Sequence, residues 1–164
     1  EAVRIGSFDI DRAIQDYVRR EYGLAIGELT AEEIKWIIGS AAETPGEKRA
    51  EVKGREMLTG VPRTVILTPA EIRYAIDDPV TAIVESVVSC LSKAAPELAQ
   101  DLLVSGIHLV GGGSLLRGFD IRLFRETGVP IVHAESPMEC VVLGAGQCVE
   151  DFEMMRAMFI EARR

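Results

Sequence analysis

Gly106-Ile107-His108-Leu109-Val110-Gly111-Gly112-Gly113-Ser114-Leu115-Leu116-Arg117-Gly118 reads as a short apolar strand of the buried type running directly into three consecutive glycines. Such a junction exposes backbone N–H groups and removes every Cβ. A ligand can then approach the main chain closely, and the helix start that follows favours negative or polar groups. No Gly-Lys-Ser/Thr follows, so this is not a nucleotide phosphate loop of the Walker kind, nor is it G-x-G-x-x-G with a ribose-reading acid. One glycine would be explained by a tight turn. Three in a row at the end of a strand point to ligand approach.

Outward from this junction the chain keeps an α/β rhythm. A short helix over 119–127 ends at Gly128, and 130–134 reads as another strand. Ser136-Pro137-Met138-Glu139 is a helix start, and the helix continues through Cys148 with Gly144-Ala145-Gly146 inside it. Two glycines there cost about 1 kcal/mol each relative to alanine, so the stretch predicts that another backbone or a flat ligand packs closely, a backbone before a ligand. The tail places Phe152, Met155, Met158 and Phe159 at helical spacing.

Upstream, Ala2 to Ile5 alternates apolar and polar residues from the start of the chain. That pattern predicts a strand cut close to its beginning, and hence a piece of a longer protein. Ser7 and Asp9 offer caps for a helix whose face is Ile10, Ala13, Ile14, Tyr17 and Val18, stopped by Gly23. Thr30-Ala31-Glu32-Glu33 reads as a capping box opening a second helix with Ile34, Ile37 and Ile38. Residues 50–57 and 63–68 predict two neighbouring strands. Thr68-Pro69-Ala70-Glu71 opens a short helix, and Asp78-Pro79 opens a longer one with Val80, Ile83, Val84, Val87, Val88 and Leu91 on its core face. A further short helix follows Pro96.

The chain has 164 residues, 48% hydrophobic and 27% charged, with a net charge of −8. About two-thirds of the surface of a chain this long can be buried, enough for a core without staples. The charge excludes the basic stripe of a nucleic-acid binder. Cys90, Cys140 and Cys148 make no metal motif and predict buried or half-buried thiols in a reducing compartment. His108 and His133 sit in strand-like runs without ligand spacing, which predicts no metal site and no catalytic triad. No apolar run of about 18 residues is present to span a membrane. Glu32 and Lys35 share one helix face at i, i+3; spacing alone makes them an exposed intrahelical pair.

Taken together, several stretches resemble the C-terminal half of the MreB family of bacterial actin homologues, the rod shape-determining proteins. They are Val3-Arg4-Ile5-Gly6, Tyr17-Val18-Arg19-Arg20 with Tyr22-Gly23, Ile26-Gly27-Glu28 with Thr30-Ala31-Glu32, Ile34-Lys35, Glu51 to Arg55, Gly60-Val61-Pro62, Pro96 to Ala99, Gly111 to Gly118, Glu126 to Pro130 and Leu143 to Gly146. The resemblance implies the actin-like ATPase (ribonuclease H-like) α/β fold. Residues 1–8 and 78–150 would form a partial inner subdomain, 9–77 an inserted smaller α+β outer subdomain, and 151–164 a helical tail. It implies that Glu32 and Lys35 contact ribose and adenine, and that Gly112, Gly113, Ser114 and Leu115 form the adenosine motif, with Thr30 and Gly111 beside them.

The same resemblance implies ATP and Mg²⁺ in the intact protein. Further implications are filament formation, cell-shape and wall-synthesis partners, and a cytoplasmic place near the inner face of the membrane, with membrane contact only through other regions. Gly6-Ser7-Phe8 stands where the family usually carries Gly-Gly-Asp. The family's phosphate-binding hairpins and water-positioning residue lie upstream of residue 1, so no catalytic residue is expected here. Weak or no ATP binding is expected of this stretch alone, together with self-association as a dimer or larger. The alternative is an actin-like interaction module without nucleotide turnover. A sugar-kinase or chaperone relative lacks support from the 9–77 sequence.

Overall fold

The computed structural model describes residues 2–156. The first helix, α1 (Ser7–Tyr22), starts where the Asp9 carboxylate accepts the Gly6 N–H at 2.8 Å, and ends at Gly23 in the left-handed region. Its buried face is Ile10, Asp11, Ile14, Tyr17 and Val18, the expected apolar stripe with one carboxylate set into it. Helix α2 (Glu28–Ile38) lies against α1 and buries Ala31, Ile34, Lys35 and Ile38. Beside them is an antiparallel sheet in the order β1 (Leu24–Ala25), β2 (Ala50–Glu56), β3 (Pro62–Leu67). The 50–57 and 63–68 strands therefore pair as expected, with Val52 opposite Val65.

Helix α3 (Pro69–Ala75) starts at the Thr68-Pro69-Ala70-Glu71 stretch as expected, and Thr68 and Glu71 close a capping box there. Helix α4 (Asp77–Ser92) buries only Val80 and Val84 of its apolar face; Ile83 and Val87 are partly covered, and Val88 is exposed. Helix α5 (Pro96–Ser105) leads to β4 (Ile107–Leu109), then a 3₁₀ turn (Gly112–Leu115), α6 (Phe119–Thr127), β5 (Ile131–His133), α7 (Cys140–Glu150) and α8 (Phe152–Met155). Strands β4 and β5 pair in parallel, Ile107 with Ile131, and α6 is the crossover. One apolar cluster runs from Ile10, Ile14, Leu24 and Ile34 through Leu67, Ile72 and Ile76 to Val80, Phe119 and Leu123.

Six expectations are corrected. Residues 2–5 form no strand, because no other described strand pairs with them and a strand exists only through its ladder. Thr30 is not an N-cap: α2 begins at Glu28 after an extended Gly27, and the Ala31 N–H already bonds the Gly27 carbonyl at 3.0 Å. Strand β4 is not buried, since only one strand pairs with it and His108 is exposed. Cys90 is exposed, on the outer side of α4. Helix α7 starts at Cys140, after a turn at 137–139. Gly144 and Gly146 pack against nothing: a Cβ at either would find no atom within 4 Å. Of the tail face, Met158 and Phe159 lie outside the described residues. No helix among the described residues is long and apolar enough to cross a membrane.

Candidate functional site

Helix α2 and the glycine turn after β4 face each other across a cavity of about 280 Å³. Its walls include Glu32, Lys35 and Trp36 from one face of α2, Gly112, Gly113 and Leu115 from the turn, and Ser7 from the start of α1. Two segments some eighty residues apart are held together by backbone contacts. The Ala41 N–H bonds the Arg117 carbonyl at 2.8 Å, and Ser40 bridges to Arg117. The Arg117 guanidinium donates to the Ile37 carbonyl at the end of α2, and to that of Trp36 at 3.4 Å. Gly118 adopts φ +68°, and a Cβ there would meet the Ala42 nitrogen at 2.9 Å, so this seam needs a glycine.

The glycine run behaves differently. Gly111 has φ +82°, donates its N–H to the Pro137 carbonyl, and accepts the Ser114 hydroxyl at 2.7 Å. Gly111 and the buried Ser114 therefore shape the turn behind the cavity rather than line it. Gly112 and Gly113 have no positive φ and no atom within 4 Å of a built Cβ. Neither backbone conformation nor packing within the chain requires them. What their missing side chains leave is open space in the cavity wall.

The Glu32–Lys35 pair expected from spacing does not form. Lys35 is buried, 8% exposed, and turns to α1, where its ammonium lies 2.8 and 3.0 Å from the two Asp11 carboxylate oxygens and 2.6 Å from the Ser7 hydroxyl. A buried ammonium needs a carboxylate more than an exposed neighbour can supply. Glu32 stays exposed at the cavity edge. The half-buried Thr30 does not line the cavity. Phe8 is 85% exposed and also lies off it, so its ring does not fill the space.

Sequence reasoning missed Asp11, Trp36, Arg117 and Met138. Asp11 had a signal: it interrupts the apolar stripe of α1 four residues after Ser7. Trp36 had one too, four residues after Glu32 on the same face. Arg117 and Met138 join the site only through tertiary structure.

The α/β fold is that of the actin-like proteins. The MreB/Mbl protein family model matches residues 1–157, and the chain belongs to that family. It is 47% identical to the cell shape-determining protein MreB of Escherichia coli (strain K12) over 153 residues, covering 93% of this chain and 44% of that protein. To the cell shape-determining protein Mbl of Bacillus subtilis (strain 168) it is 34% identical, covering 94% of this chain and 46% of that protein. MreB5 of Spiroplasma citri, solved bound to AMPPNP, superposes with a TM-score of 0.87 at 30% identity, over 93% of this chain and 46% of that one. The chain thus spans less than half the length of these relatives.

Proposed function

We propose that this chain is the nucleoside-holding half of an ATP-binding actin-like protein that polymerises and directs rod-shape wall synthesis. One observation carries the reading. Glu32 and Lys35 converge with Gly112, Gly113 and Leu115 on a single cavity whose glycines the fold itself does not require. Glu32 and Lys35 meet the ribose and adenine; Gly112, Gly113 and Leu115 back the adenosine; Gly111 and Ser114 hold the turn, and Thr30 supports α2 from outside. Residues 1–8 and 78–150 act as the inner subdomain, 9–77 as the outer one and 151–164 as a tail, with the cavity on their seam. The solved MreB5 complexes with AMPPNP and ADP support a nucleotide as the ligand.

The residues fit the nucleoside and not the metal. Among the described residues no group of three His, Cys, Asp or Glu side chains is placed to hold an ion. Mg²⁺ and the phosphates belong to the intact protein, as does hydrolysis, because phosphoryl transfer needs phosphate donors, metal ligands and an oriented water. The intact protein works as a filament in the cytoplasm near the membrane, with wall-synthesis proteins as partners.

A second reading, an interaction module without turnover, draws on two observations. Ser7 and Phe8 stand where the family usually carries Gly and Asp, and α5 and α7 expose Leu98, Leu103, Val104, Val141, Val142 and Leu143. Intact phosphate-binding hairpins in the gene upstream of residue 1 favour the first reading, and eroded ones the second. Calorimetry on this chain tests the ligand. ATP is expected to bind more weakly than about 10 µM, some −7 kcal/mol, with adenosine retaining most of that affinity. Tighter ATP binding would place a phosphate cradle in this chain. Absence of adenosine binding at millimolar concentration would remove the nucleoside reading.

A further inference from the structure

We infer that Trp36 is the stacking platform for the base in this cavity, an inference that rests on the nucleoside reading above. Trp36 is the single tryptophan of the chain and stands 52% exposed while lining the cavity. A large apolar ring left open to water in a cavity wall forgoes burial that its neighbours Ile34 and Ile38 achieve on the other side of α2. The ring is available to a ligand instead.

Its surroundings suit a flat heteroaromatic group. Leu115, Leu116 and Met138 supply apolar wall, while Gly112 and Gly113 leave the opposing backbone bare, so a planar ring can enter without displacing a side chain. The polar groups Glu32, Lys35 and Ser7 line the same cavity, giving a hydroxyl-rich sugar its partners beside the stacked base. The platform is held at its base. Arg117 donates to the carbonyls of Trp36 and Ile37, and Ile34 and Ile38 anchor the helix on its buried face. A helix backbone held in this way loses little freedom on binding, and every base presents a π-face to the indole. Trp36 therefore contributes affinity, and choice among bases rests on the polar contacts.

Because Trp36 is the only tryptophan, its fluorescence reports this cavity alone. Adenosine titrated into the chain is expected to quench it saturably, with the same midpoint as the calorimetric isotherm, while ribose leaves it unchanged. Trp36→Leu, followed by calorimetry, is expected to weaken adenosine about tenfold, which is ~1.4 kcal/mol, and Trp36→Phe to stay within about threefold of the parent, ~0.7 kcal/mol. Circular dichroism melting confirms that both variants fold, and the Phe variant keeps the comparison valid if the Leu variant is destabilised. Calorimetric binding of adenosine with unchanged fluorescence, or with equal affinity in the Leu variant, overturns the platform and leaves the nucleoside site standing. Equal quenching by ribose also overturns it, because the indole would then be sensing closure rather than a base. Absence of adenosine binding in both measurements removes the platform together with the site.

Discussion

Lys35 and Asp11 form a buried ion pair between α2 and α1, with the ammonium 2.8 Å from Asp11 Oδ1 and 3.0 Å from Oδ2. Asp11 is 7% exposed, as closed to water as its partner. The hydrogen bond goes to Oδ2, and the Oδ1 contact is ionic only. The pair spans α1 and α2, which supply Ser7, Glu32 and Trp36 to the cavity wall. It ties the packing of α1 on α2 to the position of the buried Lys35 ammonium in the cavity wall.

Asp11→Ala is therefore expected to destabilise the chain by about 3–5 kcal/mol, because it leaves an ammonium buried without its counter-charge. Replacing both partners, Asp11→Leu with Lys35→Met, should recover most of that loss while abolishing adenosine binding. Urea unfolding measures both. A loss below about 1 kcal/mol for Asp11→Ala, the range of an exposed pair, would show that Lys35 can swing out to water.

Two glycines a few residues apart should fail in opposite ways. In the full-length protein, Gly113→Val is expected to weaken nucleotide binding with little change in melting temperature, since its side chain enters open cavity space. Gly118→Ala should instead lower stability by about 1–3 kcal/mol, from the left-handed backbone and from the Ala42 nitrogen its Cβ would meet. If Gly113→Val melts early while the folded fraction binds normally, the glycine run serves the turn and not a ligand.

Stability should also depend on pH through Glu71 and Tyr22. Burial tends to raise the Glu71 pKa, but hydrogen bonds from the Thr68 hydroxyl, Tyr22, the Thr68 amide and Tyr17 outweigh it and hold the group below its ordinary 4.5. Its contribution is complete above that value and is lost as pH falls through the folded pKa. Tyr22 donates to Glu71, and that bond, then burial, pushes its phenol up to about 12 from 10.0. Its contribution is complete below pH 10 and is lost as pH rises toward 12. Denaturation midpoints measured across both windows check this. Tyr22→Phe should flatten the alkaline decline, and an unchanged alkaline limb would locate the titrating group elsewhere.

Local chemistry made much of the fold legible. The helix start at Thr68–Glu71, the stop at Gly23 and the helix end at Gly128 each depend on residues within four positions of one another, and each is found. The site was legible in part. Gly112, Gly113, Leu115, Glu32 and Lys35 meet on one cavity, but the partner of Lys35 is Asp11, from a different helix. Spacing along α2 carries no information about α1. The failed expectations at residues 2–5, at β4 and at Gly144 and Gly146 share a cause. Apolar patterning states what a segment can bury, and whether it is buried depends on surfaces that lie elsewhere.

Surfaces left uncovered within the chain favour self-association. The β4–β5 sheet has two strands of three residues each, with no further strand paired to either among the described residues. Its outer edges offer unpaired N–H and C=O groups, the geometry that recruits another strand. Close by in sequence, α5 has no buried residue and exposes Leu98, Leu103 and Val104, while α7 exposes Val141, Val142, Leu143 and Val149. Apolar side chains in that number on two helices favour association over solvation. The β1–β2–β3 side is better closed, with Val52, Val65 and Leu67 inside the core. The chain is therefore expected to form a dimer or larger assembly at micromolar concentration, through the β4–β5 edge and the α5 and α7 faces. Sedimentation velocity measures this directly. Replacing Val141 and Val149 with Lys should shift the population toward monomer without lowering the melting temperature, since neither residue supports the core. A 17.9 kDa monomer that persists across the concentration range would show that these surfaces close on themselves, and the proposed assembly would be wrong.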